Sequence, residues 1–149
     1  MIFKGGNILV VLKFLFKIAP FLYMALVWIL SSMPADAVVN FSIADSFIKE
    51  SLHLVEFAIL YVLFVFFLLV DGKLTEKTSL ISAIVACLWG LTDEIHQYFV
   101  PYRSATFIDL VKDVTGVAVC FWIIKRSYFN EESKLGKFLH SFERLFLKK

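Results

Sequence analysis

The 149-residue sequence has little charge and few of the residues that build cross-links. Charged residues make up only 19% of it, against 60% hydrophobic and 17% aromatic residues, and the mean hydropathy is +0.80. Soluble domains are about 45–50% apolar, so this composition indicates a membrane protein. The two cysteines, Cys87 and Cys120, fall inside apolar stretches. They are expected to be buried thiols and not part of a disulfide framework.

Several motifs of soluble enzymes are also missing. The chain has no G-x-x-x-x-G-K, G-x-G-x-x-G or G-x-S-x-G stretch, so nothing supports a nucleotide-phosphate loop or the nucleophile elbow of hydrolases. It has no H-E-x-x-H motif, and therefore no contiguous set of zinc ligands. Its basic residues flank apolar stretches and form no patch, which argues against nucleic acid as a partner.

Four apolar stretches are each long enough to cross a bilayer. About twenty residues at 1.5 Å per residue reach across roughly 30 Å of hydrocarbon. The sequence therefore predicts an all-α protein, a polytopic membrane four-helix bundle with a C-terminal cytoplasmic amphipathic helix. The membrane domain would be residues 1–126 and the tail residues 127–149, with a loop containing an interfacial piece at residues 33–50. The predicted spans are residues 10–32, 51–70, 78–99 and 107–124.

The tail alternates apolar and basic positions at helical spacing. Such a helix can lie in the headgroup plane of a membrane, or it can pack under the bundle as an ordinary amphipathic helix, and the sequence leaves both open. His140 in this helix is expected to be solvated. The apolar positions are Leu135, Phe138, Leu139, Phe142, Leu145 and Phe146.

The distribution of positive charge predicts the orientation. Three lysines precede or begin the first span, two lie between the second and third, and seven basic residues follow the fourth. The loops on the other side contain only Lys49 and Arg103. Because lysine and arginine are in excess on the cytoplasmic side of membranes, both termini are expected in the cytoplasm and the protein in the bacterial plasma membrane.

Ionisable residues are concentrated at the outer end of the predicted spans. A charged side chain at the centre of a bilayer costs roughly 2.5–3.5 kcal/mol on insertion scales, so such residues usually mark a functional site. Each of the second, third and fourth spans contributes some of them at helical spacing, and the connection before the fourth adds an arginine. The ionisable residues are His53, Glu56, Asp93, Glu94, His96, Arg103, Asp109, Lys112 and Asp113, and the amide Gln97 lies among them.

These residues stand in motifs that resemble the VanZ-like family, which is named for a protein linked to teicoplanin resistance. The motifs are a serine corner at residues 31–34, H-x-x-E-F at 53–57, D-E-I-H-Q-Y-F-V-P-Y-R-S-A at 93–105 and D-L-x-x-D-x-x-G at 109–116. Tyr102 stands where many members have glycine. The resemblance covers residues 20–124 and implies a small bacterial envelope protein, sometimes associated with reduced susceptibility to glycopeptide antibiotics. It implies no settled reaction.

Three interpretations of the polar residues compete. The first is an enzyme that acts on a lipid-linked or phosphorylated envelope substrate at the outer leaflet, by acid/base or metal-assisted chemistry. The catalytic candidates are His53, Glu56, Asp93, Glu94, His96, Asp109 and Asp113, with His96 and Glu94 first for proton transfer. The candidates for substrate binding are Gln97, Arg103 and Lys112, since Arg103 can hold a phosphate or carboxylate by two hydrogen bonds. A divalent metal is possible, with His53, Glu56, Glu94, His96, Asp109 and Asp113 as candidate ligands.

The other two interpretations need no catalysis. The same pocket can bind a membrane lipid, a lipid-linked cell-wall precursor or an antibiotic without turning it over. Alternatively, the charges can simply pair with each other, as Arg103 with Asp109 or Lys112 with Glu56, and hold the helices together. For Asp109 a local role competes directly, because Thr106 three positions earlier is expected to cap the fourth helix.

Overall fold

The computed structural model describes residues 5–33, 44–101, 103, 105–129 and 133–147, without the side chains of residues 5, 6 and 44–53. Within these residues the chain forms five α-helices and no strand, which confirms the all-α prediction. The helices are α1 (Gly5–Ser31), α2 (Ala44–Leu69), α3 (Glu76–Tyr98), α4 (Phe107–Tyr128) and α5 (Lys134–Leu147).

The helices lie close to the predicted spans, but α2 begins earlier than expected. The prediction of a loop through residue 50 is wrong from Ala44 onwards, since α2 already includes Asp45, Lys49 and Glu50. The apolar run marks where a segment can enter lipid, whereas the backbone hydrogen bonds of a helix continue into polar sequence beyond that point. Residues 34–43 of the same predicted loop lie outside the described part of the chain.

Helix α2 packs against each of the other four helices. Its buried face contains Phe57, Tyr61, Val65 and Leu69, all fully buried and spaced four residues apart, as one side of a helix requires. Its most extensive contact is with α4, where a Cβ atom on Gly116 would overlap the carbonyl oxygen of Leu54. Only glycine at this position lets the two backbones approach so closely, as is common between helices in lipid.

The outer surfaces of α1, α3 and α4 are strongly apolar. Leu22 of α1, Leu88 of α3 and Trp122 of α4 are 62%, 56% and 62% exposed. Soluble monomers rarely expose large continuous apolar surfaces. Residues Asn7–Ser31 and helix α3 are also long and apolar enough to cross a membrane. Together these features indicate a membrane-associated protein.

At one end of the helices, which we call the turn end, α2 connects to α3 through a charged turn. Asp71 accepts hydrogen bonds from Lys13 at 2.8 Å and Lys17 at 2.7 Å, and Gly72 has φ +62°, a left-handed conformation that favours glycine. The two lysines lower the pKa of Asp71, mainly through these hydrogen bonds. The turn therefore ties α1 to the α2–α3 connection.

Helix α5 packs under the turn end. Leu139 is 2% exposed, and the ring of Phe142 lies 5.2 Å from that of Phe16 and 5.0 Å from that of Phe66. His140 stacks on Tyr128 at 4.2 Å, with its Nε2 2.9 Å from the Tyr128 carbonyl oxygen. The prediction of a solvated His140 is right only in part, because its side chain keeps 28% exposure while its ring packs against Tyr128 of α4.

Candidate functional site

The polar residues of α3 meet the C-terminal end of α1, and we call this end of the helices the site end. Asp93 is 1% exposed. Its Oδ1 accepts a hydrogen bond from the Ser31 hydroxyl at 2.5 Å, and its Oδ2 accepts one from Gln97 Nε2 at 2.6 Å. Both carboxylate oxygens are thus engaged by neutral donors, one from another helix and one from the next turn of α3. Through these hydrogen bonds Asp93 links the end of α1 to α3.

His96 lies one turn along, between Ser32 and Trp28. Its ring stacks on the Trp28 indole at 4.0 Å with a 19° angle between the planes, and its Nε2 is 2.9 Å from Ser32 Oγ. The Ser32 hydroxyl also lies 2.6 Å from the Trp28 carbonyl oxygen. The Ser32 hydroxyl has one proton to donate. Of its two contacts, the one to the Trp28 carbonyl oxygen is shorter than the one to His96 Nε2.

We infer that His96 donates its Nε2–H to Ser32, whose own proton goes to Trp28. The neutral ring then carries its lone pair on Nδ1. Ser32 in this state is an acceptor, so the pair does not have the polarity of a nucleophile activated by a base. The nitrogen available for general-base chemistry in this arrangement is Nδ1 of His96.

Arg103 binds the C-terminal end of α1. Its Nη2 donates to the Leu30 carbonyl oxygen at 2.7 Å and its Nε to the Met33 carbonyl oxygen at 3.1 Å. The last carbonyls of a helix carry partial negative charge and have no partner in their own helix, so a guanidinium there stabilises the end of α1. These two hydrogen bonds of Arg103 go to main-chain carbonyls and not to Asp109, the partner considered from the sequence. Two of the five guanidinium N–H groups are used by these carbonyls.

Asp109 lies in the first turn of α4 and takes part in the predicted cap. Thr106 is the N-cap residue, and its Oγ1 accepts a hydrogen bond from the Asp109 backbone N–H at 3.2 Å. The hydroxyl also donates to Asp109 Oδ2 at 2.5 Å, and Lys112 Nζ donates to Asp109 Oδ1 at 3.0 Å. The expected cap is confirmed. Asp109 and Lys112 thus form an ion pair across the first two turns of α4.

Asp113 lies deeper among the helices and is fully buried. A Cβ atom on Gly90 of α3 would be 3.5 Å from Asp113 Oδ2 and 3.5 Å from the Phe57 ring of α2. The carboxylate therefore lies where α2, α3 and α4 meet. Glu56 is close to this level, half-buried, with its backbone carbonyl accepting a hydrogen bond from the Tyr23 hydroxyl at 3.1 Å.

Glu94 lies on another side of α3 and is 7% exposed. It lines a groove of about 310 Å³ between the end of α3 and the start of α4, together with Tyr98, Thr106 and Leu110. We call this the Glu94 groove. Neither Glu94 nor Asp113 faces outward to the apolar surface, in keeping with a polar interior at the site end.

The structure places the described site residues in separate groups at the site end. Asp93, His96 and Gln97 lie beside or contact the end of α1, Asp109 and Lys112 lie at the start of α4, Asp113 is buried where α2, α3 and α4 meet, and Glu94 lines the groove between α3 and α4. The side chain of His53 lies outside the described residues. Among the described residues no group of three or more His, Cys, Asp or Glu could hold a metal ion, so this part of the chain adds no support for the metal alternative.

Sequence reasoning missed two serines as site residues. Ser31 and Ser32 supply the hydroxyl groups that contact Asp93 and His96. Serine at the end of an apolar span usually bonds to its own helix, and nothing in its spacing indicates a partner sixty residues away. The serine corner in the family motif was the only signal that could have found them.

Comparison with known protein families gives a match that covers all of these groups. A family model described as VanZ/LLP1 matches residues 6–129, which include every candidate site residue named above. The chain belongs to the VanZ/LLP1 family. No match was found among curated proteins or among solved structures. The VanZ/LLP1 segment ends just after α4, so α5 lies beyond the matched residues.

Proposed function

We propose that this VanZ/LLP1 protein crosses the bacterial plasma membrane four times and acts at the outer leaflet on a lipid or lipid-linked precursor of the cell envelope. The observation that carries the proposal is the convergence of α1, α3 and α4 at the site end. There they bury Asp93, Glu94 and Asp113 in helices whose outer surfaces are apolar. Buried charge of this kind costs free energy, and a polar pocket that opens toward the headgroups provides a reason for it.

The topology in this proposal has both termini in the cytoplasm. Helices α1 to α4 would form the membrane domain, with the turn end and α5 on the cytoplasmic side. The turn end contains Lys13, Lys17 and Lys125, which pair with Asp71 and Glu76, and the excess of basic residues there favours the cytoplasm. The site end then reaches the outer leaflet.

In the proposed chemistry His96 and Glu94 transfer protons. His96 is held by the Trp28 ring and by Ser32, which leaves Nδ1 to accept a proton from the substrate or from water. Glu94 is 7% exposed and lines a groove between α3 and α4, and its two carboxylate oxygens are buried, so in this proposal its side chain turns toward the groove to reach a bound headgroup. Arg103, with three N–H groups beyond those given to α1, binds an anionic group of the substrate.

A second function is favoured by one specific observation. Arg103 and Asp93 are already engaged in hydrogen bonds that hold α1 in place, and such a prebuilt pocket can bind an envelope lipid or a glycopeptide antibiotic such as teicoplanin without catalysis. Both functions would alter glycopeptide susceptibility, since an enzyme would change a cell-wall precursor and a binding protein would hold the precursor or the drug.

Measuring lipid-linked precursors in cells that carry His96→Ala or Glu94→Gln tests the proposal. If the protein is an enzyme, its substrate accumulates, because loss of a general acid or base costs about 10²–10⁴-fold in rate. If it only binds, the lipids stay unchanged while glycopeptide sensitivity changes. Disappearance of the protein from the membrane fraction would indicate a structural role for these residues.

His140→Ala provides a matched control. His140 is likewise a half-buried histidine stacked on an aromatic ring, at 4.2 Å from Tyr128 compared with 4.0 Å between His96 and Trp28. It lies at the opposite end of the helices, away from the proposed pocket. Lipid pools that change equally in both histidine variants would contradict a site at His96.

A further inference from the structure

Helix α5 is held under the turn end by one of its faces. A Cβ atom on Gly136 would overlap the carbonyl oxygen of Ser127, Leu139 is buried, and Glu143 accepts a hydrogen bond from the Tyr128 hydroxyl at 2.7 Å. Gly136, Leu139 and Glu143 are three and four residues apart, so they share one side of the helix. This docked face determines where the other sides of α5 point.

Two further rows of side chains on α5 are exposed. Phe138 and Leu145 are 55% and 54% exposed, and they lie two helical turns apart, so they form an apolar row. Lys137 and Arg144 are exposed as well and form a basic row with the same spacing. Because successive residues of a helix are rotated by about 100°, the two rows run side by side. The only acidic residue of α5, Glu143, lies on the docked face.

The apolar row adjoins α1 at the level of the charged turn. The ring of Phe138 lies 6.4 Å from that of Phe142, which in turn lies 5.2 Å from that of Phe16 in α1. Phe16 directly precedes Lys17, which pairs with Asp71. Basic residues at the end of an apolar span lie at the headgroup level of the cytoplasmic leaflet. Helix α5 is therefore beside a lipid-facing helix at the depth where headgroups begin.

From this position and these charges we propose that α5 binds the cytoplasmic leaflet, with its apolar row among the upper acyl chains and its basic row against anionic headgroups. The inference rests on the proposed function only for its topology. An amphipathic helix in the headgroup plane buries its apolar side about 5–10 Å deep, and basic residues beside it are attracted to anionic lipid. A second copy docked through the same rows would bring like charges together, because the acidic residue of α5 is on the docked face.

Fluorescence quenching in the full chain tests the proposal. A bimane is attached to one added cysteine at a time, in phosphatidylcholine nanodiscs that contain a minor fraction of brominated phosphatidylglycerol or brominated phosphatidylcholine. The signal of the chain without an added cysteine is subtracted, since Cys87 and Cys120 are half-buried. All four substituted positions are exposed, so the docked face stays intact. The variants are Phe138→Cys and Leu145→Cys in the apolar row, and Lys137→Cys and Arg144→Cys in the basic row.

We expect brominated lipid to quench the bimane at positions 138 and 145, and aqueous iodide to quench it at positions 137 and 144. Equal quenching by bromine at all four positions would overturn the proposal. Positions 138 and 145 shielded from both quenchers would overturn it too, because another protein, such as a second copy, would then cover the apolar row.

The charge of the basic row is tested in the chain labelled at position 138. Lys137→Gln should lower the preference for brominated phosphatidylglycerol over brominated phosphatidylcholine about fivefold, the effect of one basic residue at an anionic surface. Lys77→Gln, at an exposed lysine of α3, is the control and should leave the preference unchanged. Equal quenching by the two brominated lipids in the chain that retains Lys137 would reject an anionic lipid as the partner.

The side of the membrane is measured separately. An impermeant maleimide should react with Lys137→Cys in inside-out vesicles and not in intact spheroplasts, and reaction from outside would reject both the cytoplasmic leaflet and the proposed topology. Lipid quenching at position 138 together with precursor pools unaffected by His96→Ala would retain α5 as a lipid-binding helix and reject the enzymatic function. Changed precursor pools without lipid quenching at position 138 would do the reverse.

Discussion

Asp93→Ala should destabilise the protein by about 2 kcal/mol. The substitution removes the acceptor of two buried hydrogen bonds, from Ser31 at 2.5 Å and from Gln97 at 2.6 Å. A buried donor left without an acceptor costs about 1–3 kcal/mol, while hydrogen bonds between membrane helices average about 0.6 and reach about 1.7 kcal/mol. Part of the loss is recovered, because the Ser31 hydroxyl can turn to the Trp28 carbonyl oxygen 3.1 Å away.

The assay is unfolding in mixed micelles as the fraction of sodium dodecyl sulfate rises, followed by circular dichroism. Thr92→Ala is the control, because Thr92 is the adjacent residue, is exposed, and donates only to Leu88 of its own helix at 2.8 Å. It should change the unfolding free energy by less than about 0.5 kcal/mol. Asp93→Asn should cost less than Asp93→Ala, since the amide keeps one acceptor and Gln97 can turn its own carbonyl to the new donor.

A double-mutant cycle isolates the contact between α1 and α3. Combining Ser31→Ala with Asp93→Ala should reveal a coupling of about 0.6–1.7 kcal/mol. Zero coupling, or an Asp93→Ala variant as stable as Thr92→Ala, would refute the claim that this carboxylate holds α1 in position. Helicity of the variants before unfolding shows whether they start from the same fold.

Two further predictions concern packing and charge. Gly116→Ala should destabilise the protein by about 1–3 kcal/mol, because the new Cβ would overlap a backbone carbonyl oxygen. Gly90→Ala should be near neutral, since its Cβ would meet other atoms only at 3.5 Å. The same unfolding assay compares the two variants, and equal losses of stability would contradict the close approach of α2 and α4 at Gly116. Asp71→Asn should remove up to about 1 kcal/mol at neutral pH. The lysine partners lower the pKa of Asp71. Its contribution to the free energy of unfolding is therefore present at neutral pH and is lost as the pH falls below about 4 and through the folded-state pKa. Across that pH range the unfolding midpoint of Asp71→Asn should depend less on pH than that of the unsubstituted protein. Glu76→Gln, 61% exposed in its ion pair, should show a smaller change.

The predictions made from sequence were most accurate where a local pattern determines the structure. Apolar runs of helical length located α1, α3 and α4 to within a few residues at most ends, and Thr106 followed by Asp109 predicted the α4 cap. These features depend on residues a few positions apart, and the cap forms whatever the rest of the chain does. The start of α2 was missed because polar residues there continue a helix beyond its apolar part.

The partners of the charged residues could not be predicted in this way. Besides the anionic ligand or Asp109 expected as partners of Arg103, the structure shows contacts that were not predicted, to the carbonyls at the end of α1, seventy residues earlier. The sequence shows that position 103 is an arginine, but it does not show which helix end lies beside that side chain. That depends on how α1 crosses α3, a property of side-chain packing along their whole length.

The sequence alone determined that this protein is helical, rich in lipid-compatible surface and polar at one end, because hydropathy and periodicity are properties of single segments. Only the tertiary structure decided that Ser31 and Ser32 complete the environment of Asp93 and His96, and that Glu94 lines a groove between α3 and α4. Those relations join α1 to α3 and α3 to α4. They arise from interhelical contacts, which no local pattern of residues encodes.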